Sequence, residues 1–167
     1  MQQSDIQSSM LSSIEEELKR HFFRVDHKSC QLFLDMLTYH MGWTGEGSGP
    51  GVKGKRLRPL LLLLVTSAAG GDWHSSLPAA AAIELLHNFS LIHDDIQDGS
   101  STRRGRLTVW NKWGAPMAIN AGDALFSLAS LAIVDLQKKH SPENVLQASH
   151  ILHAACLSLT KGQFLDM

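Results

Sequence analysis

Three carboxylates, Asp94, Asp95 and Asp98, close a largely apolar stretch that begins at Leu85. In a helix, Asp94 and Asp98 lie one turn apart on one face, with about 6 Å between Cβ atoms, which suits two carboxylates sharing hard cations. Magnesium takes carboxylate oxygens together with phosphate oxygens of a substrate, so the pattern points to a Mg²⁺-diphosphate complex with Asp94 and Asp98 as metal ligands. A solvated acidic helix end is the plain alternative, although acids are better placed at a helix N-terminus than at its C-terminus. Five residues after Asp98, Arg103-Arg104-Gly105 supplies two guanidinium forks able to grip diphosphate oxygens bidentately. Metal and arginine together stabilise the charge that builds on a departing diphosphate. Upstream, Gly54-Lys55-Arg56-Leu57-Arg58-Pro59 is a second anion candidate, because a helix N-terminus and its free N–H groups favour phosphate. It lacks the spacing of a Walker loop, and a basic turn capping a helix would look the same.

The elements that must hold these residues read as helices almost throughout, with no run of alternating β-branched residues to call for a sheet. The expected class is all-α. Helices are expected over residues 5–23, where Ile6, Met10, Ile14 and Leu18 recur at four-residue steps, and over 28–41. Residues 42–54 hold six glycines and Pro50, the composition of a glycine-rich loop that resists helix. A third helix, 57–69, is apolar nearly all round and is expected in the middle of a bundle. The fourth, 76–98, starts at Ser76-Leu77-Pro78 and carries the acids. After a polar loop over 99–114, two more helices span 116–138 and 142–165. All 167 residues are expected to form one domain with a single core.

A formal net charge of −1 gives no global attraction to nucleic acid or an anionic surface, so anions must be met locally. Seven of the fifteen Lys and Arg residues sit in two clusters, Lys53, Lys55, Arg56 and Arg58, and Arg103, Arg104 and Arg106. Cys30 and Cys156 form no CxxC pattern, so neither a disulfide scaffold nor a zinc site is indicated, and a cytoplasmic setting is expected. The N-terminus has no basic start followed by an apolar core, and the apolar run at 60–65 is far short of the roughly 20 residues that span a bilayer, so no transmembrane segment is expected.

In type, order and approximate spacing, GKRLRP, HNFSLIHDDIQDGSSTRRGRLTVW, AGDALF and GQFLD resemble the N-terminal half of the polyprenyl synthetase family, the trans-prenyl diphosphate synthases. The resemblance implies an α-helical bundle of the isoprenoid synthase type, of which about six helices are here. It implies a prenyltransferase that condenses an allylic prenyl diphosphate with isopentenyl diphosphate, with Mg²⁺ as cofactor and a homodimer, or pairing with a second half-bundle, as its assembly. By resemblance, Asp94, Asp95, Asp98 and Arg103 form the catalytic Mg²⁺ and allylic diphosphate site, while Lys55, Arg58, His87 and Arg104 bind isopentenyl diphosphate. His87, two turns before Asp94, is on nearly the same face, so geometry permits that role; on its own it reads as an ordinary histidine, as do His150 and His153. The departing pyrophosphate is the expected base.

Product length is expected to depend on the helix below Asp94, where Ser90 lies one turn down and Leu86 two, each about 5.4 Å and close to one prenyl unit. The resemblance assigns the limit to the fourth and fifth residues before the first Asp, here Ser90 and Phe89, a combination of the C20-forming type, with C15 also open. An ideal wheel puts Phe89 about 140° from Asp94, so its role rests on resemblance. Two departures stand out: Lys53-Gly54 replaces a double glycine, and Trp110 stands where some members have histidine. Family members run to about twice this length, and their second aspartate-rich motif, Lys-Thr pair and Gln would fall after Met167. A non-catalytic half or modulating subunit is therefore one rival reading. A class I terpene cyclase is another, against which the two basic motifs argue.

Overall fold

The computed structural model describes residues 2–25 and 30–166. Four-residue recurrence of apolar side chains makes α1 (Gln2–Phe22) one-sided, and Met10, Ile14 and Leu18 on that side are fully buried, with Ile6 left at the exposed end. Next come α2 (Gln31–His40), the single turn α3 (Pro50–Lys53), α4 (Leu57–Ala68) and α5 (Leu77–Gln97). The rest comprises β1 (Thr102–Arg103), β2 (Arg106–Leu107), α6 (Val109–Trp113), α7 (Ala115–Val134) and α8 (Pro142–Asp166), with 3-10 turns at Trp73–Ser76 and Asp135–Lys138. The all-α bundle expected from the sequence is what forms. Positions 28 and 29 of the expected second helix lie outside the described residues.

The long helix α5 is central. It buries Ala80, Ala81, Ala82, Leu85 and Ile92 and packs against α1, α4, α7 and α8. Small residues let α7 approach it closely: Ala118, Ala121, Gly122, Ala129 and Ala132 are buried, and a Cβ on Gly122 would stand 2.3 Å from Nε2 of His93. With mean hydropathy 1.6, residues 115–138 are long and apolar enough to cross a membrane, a feature the sequence reading passed over; here that composition serves contact with α1, α2, α5, α6 and α8.

Three expectations need correction. The glycine-rich loop does hold one helical turn, because Pro50 at its start needs no N–H partner there. The polar loop 99–114 contains a two-stranded hairpin and the short helix α6. Within this chain α4 is not enclosed: Pro59 and Leu63 are buried, but Leu57, Leu61 and Val65 are 59–62% exposed, since α1 and α5 cover one side only. The outer face of α8 is similar, with Leu146, Leu157 and Phe164 all above 70% exposed.

Arg56, one of the four cations of the upstream cluster, turns inward. Its backbone is left-handed (φ 49°), its side chain bonds Glu15 at 2.6 Å and Glu84 at 2.8 Å, and it donates to the Met41 carbonyl at 3.3 Å. It thereby locks α1, α4 and α5 together and is unavailable to an external anion.

Candidate active site

Helix α5 ends at the acids. Asp98 is its cap, with its N–H on the Asp94 carbonyl at 2.8 Å, so the one-turn spacing holds. The three acids part company there. Asp95 is 2% exposed and fixed to Arg103, whose Nε lies 2.9 and 3.0 Å from the two carboxylate oxygens and Nη2 2.8 Å from Oδ1. The half-buried Asp94 is left to the cavity side, and Asp98 is exposed. Burial first, then the Asp98 charge, pushes the Asp94 carboxyl above its usual range, with Arg103 pulling the other way.

Those features fit a hard cation. Oxygen donors at a helix C-terminus, where the helix field disfavours them, gain most from one, and carboxylates such as Asp94 and Asp98 are the donors a magnesium ion would take. Among the described residues, the one compact three-ligand group is elsewhere: Glu17, His21 and Asp135. It is already compensated, because Arg20 and Arg24 pair with Asp135 at 3.2 and 2.6 Å and Arg20 also pairs with Glu17.

The second arginine owes its position to the hairpin. Arg104 (φ 52°) and Gly105 (φ 76°) occupy the two central positions of the turn between β1 and β2, and positive φ at both is the twist a two-residue hairpin requires. Arg104 then reaches the glycine-rich loop, where it donates to the Val52 carbonyl at 2.8 Å. Its Nη1 would be 2.8 Å from a Cβ on Gly54, so the glycine beside Lys55 is what admits the guanidinium. Arg106 anchors the hairpin by donating to the carbonyls of Tyr39 (3.1 Å) and Thr44 (2.8 Å) and lying 3.8 Å over the Tyr39 ring. A small cavity of about 30 Å³ opens beside these groups, lined by His40, Asp95, Arg103, Arg104 and Arg106 among others.

Arg58 and His87 meet, Nη1 to Nε2, at 3.2 Å. Burial, then the Arg58 charge, lowers the His87 pKa, consistent with a neutral ring accepting from arginine. Both line a groove of about 480 Å³ between α5 and α8, together with Leu86, Ser90, Asp94 and, from α8, Leu159. Lys55 is exposed just before α4. Phe89 shares a neighbouring cavity with Asp94, despite the wheel angle, and its ring packs on Phe126 at 5.3 Å and His93 at 4.7 Å. Sequence reasoning missed the continuation of this wall. Phe126 meets His153 edge-on at 5.9 Å, and Ser130 holds the His153 ring at 3.1 Å, a pairing between α7 and α8 that no local spacing announces.

Residues 50–167 match the sequence profile of the family described as polyprenyl synthetase. The chain is 42% identical over 133 residues to a (2E,6E)-farnesyl diphosphate synthase of Mycobacterium tuberculosis, covering 78% of this chain and 36% of the relative. It is 46% identical over 114 residues to a geranylgeranyl diphosphate synthase of Methanosarcina mazei, covering 68% and 35%. A polyprenyl synthetase structure from Streptomyces coelicolor superposes with TM-score 0.81 at 34% identity, over 95% of this chain and 45% of that one. A geranylgeranyl pyrophosphate synthetase from Pyrococcus horikoshii gives 0.80 at 32%, over 98% and 46%. The chain thus spans less than half the length of each of these four relatives. Matching that family's profile over residues 50–167 and sharing the fold of these structures, the chain belongs to the polyprenyl synthetase family.

Proposed function

We propose that this chain supplies the substrate-gathering half of a Mg²⁺-dependent prenyltransferase that joins an allylic prenyl diphosphate to isopentenyl diphosphate, with a C20 product favoured and C15 within reach. One observation carries the reading: Asp94 and the Arg58–His87 pair stand together on a single groove of about 480 Å³, whose remaining wall is largely apolar, a volume ordinary for a ligand site. Magnesium held by Asp94 and Asp98 would supply the positive charge that a departing diphosphate requires.

The chain's own groups do the remaining work. Asp95 fixes Arg103 through Nε and Nη2, which leaves Nη1 for an oxygen of the allylic diphosphate. Lys55, Arg58, neutral His87 and Arg104 form the isopentenyl diphosphate set, giving charge-assisted hydrogen bonds that orient the alkene toward the allylic carbon. The apolar flank of the groove keeps water from the cation. Ser90 leaves the tail a path along α5, Leu86 lies a turn further, and Phe89, braced by Phe126, limits its length. The outward apolar faces of α4 and α8 suit a homodimer or a second half-bundle.

Among the described residues that line the groove and its neighbouring cavities, only Asp94 and Asp123 are acidic, so the leaving group would be neutralised largely from one side. The test is incubation of the chain with Mg²⁺, an allylic diphosphate and isotope-labelled isopentenyl diphosphate, alone and with the C-terminal half of a relative. Little or no product alone, and condensation on reconstitution, is expected. Binding without turnover in either mixture would favour a modulating subunit. Allylic turnover that needs no isopentenyl diphosphate would indicate a cyclase, and fast condensation by the chain alone would refute the half-site argument.

A further inference from the structure

The small basic cavity holds a group for which none of the roles above accounts. His40 closes α2, and its Nε2 is buried without a hydrogen-bond partner. Arg106, which lines the same cavity, carries a second orphan: it uses both Nη atoms on loop carbonyls, while its Nε is buried and unpaired. Leaving two buried nitrogens unsatisfied is costly, and such pairs persist where something arrives to meet them. The surrounding charge selects the visitor. Arg103, Arg104 and Arg106 line the cavity against one carboxylate, Asp95, which Arg103 already neutralises at 2.8 Å. Burial, followed by the charges of Arg103 and Arg104, holds the His40 pKa down to about 3, so the ring is neutral and offers a hydrogen bond without adding charge. At about 30 Å³ the cavity has room for one water-sized group, such as a single phosphate oxygen, and not for a whole diphosphate.

We propose that His40 is a substrate-binding residue whose Nε2–H donates to one terminal oxygen of isopentenyl diphosphate, with the Arg106 Nε–H as its companion donor. This rests on the reading of Lys55, Arg58, His87 and Arg104 as the isopentenyl diphosphate set, and extends that set to the end of α2. In the Nε2–H tautomer the ring meets an oxygen that the guanidinium groups have already drawn in, and the geometry discriminates by fit because only a protruding terminal oxygen enters.

The test is calorimetric titration of the 167-residue chain, in Mg²⁺-free buffer, with isopentenyl diphosphate, inorganic pyrophosphate and inorganic phosphate separately. It compares the native sequence with His40→Phe and His40→Gln, and follows the His40 ring ¹⁵N signals. His40→Phe should weaken isopentenyl diphosphate binding about tenfold, the weight of one hydrogen bond to a charged group, without lowering the melting temperature, because it removes an unsatisfied nitrogen and keeps the ring. His40→Gln, which keeps an N–H donor, should recover affinity to within about threefold, and the native Nε2 signal should move on saturation. Equal affinity in His40→Phe, or a stationary Nε2 signal, overturns the His40 assignment and leaves the wider reading intact. Loss of both binding and melting temperature in both variants marks His40 as structural and overturns it too. An Nε2 response to phosphate or pyrophosphate but not to isopentenyl diphosphate makes the cavity a general anion site, against the proposal. Failure of the native chain to bind isopentenyl diphosphate at all defeats the underlying reading itself.

Discussion

Replacing Arg56 by methionine should unlock three helices at once. The variant keeps the apolar stem but strands Glu84, which is 4% exposed and whose nearest remaining donor is Asn88 Nδ2 at 3.1 Å. Glu15, with its side chain 22% exposed, can rehydrate and adds less. Removing one partner of a buried ion pair costs about 3–5 kcal/mol because the other charge stays buried. That is a large share of the roughly 5–15 kcal/mol that holds a domain together. At about 2–4 °C per kcal/mol for a chain of this size, the melting temperature should fall by roughly 6–20 °C. Circular dichroism melts of the native chain, Arg56→Met and Arg56→Met/Glu84→Gln would measure it. The double variant should regain at least half of the loss, since both charges are then gone. A fall under 2 °C in the single variant, or a double variant less stable than the single, would refute the lock.

Two further outcomes follow. Burial alone would raise the Glu17 pKa, but hydrogen bonds from His21 and Arg20 bring it from 4.5 down to about 2. Its stabilising effect, at most about 3 kcal/mol and less given the exposure of Arg20, is therefore full above pH 4.5 and lost as pH falls toward 2. Glu17→Gln should flatten the melting-temperature profile in that window, and an unchanged profile would count against it. In a form that turns over, Phe89→Ala should lengthen the main product by at least one prenyl unit, read by chromatography; unchanged length would move the floor elsewhere.

Periodicity was enough to read the buried stripe of α1 and the position of the acids on α5, because both depend only on spacing along one helix. What spacing cannot carry is direction across elements. Arg56 and Arg58 are equally basic neighbours, yet one is buried against Glu15 and Glu84 and the other lies on the groove, a difference set by the left-handed backbone at Arg56. Likewise Asp94 and Asp95 are identical in type, yet Asp95 is buried and taken by Arg103 from the hairpin while Asp94 lines the groove. Strands of two residues carry too little alternation to register. Apolarity on every side of α4 pointed to enclosure, but burial depends on neighbours that a single helix's sequence does not describe. Phe89 reached the neighbouring cavity beside Asp94 despite its wheel angle because a long ring braced by Phe126 extends well beyond its own Cα.

The most direct measurement titrates the chain with isopentenyl diphosphate and, separately, with a non-ionising thiolo analogue of an allylic diphosphate, each with and without Mg²⁺, in the native sequence, Asp94→Ala and Arg58→Ala. Binding of the allylic analogue should need Mg²⁺ and fall at least tenfold in Asp94→Ala, while isopentenyl diphosphate should bind without Mg²⁺ and fall comparably in Arg58→Ala alone. Equal losses of both ligands in both variants, or allylic binding indifferent to Mg²⁺, would contradict the assignment of separate metal and isopentenyl sites on one groove.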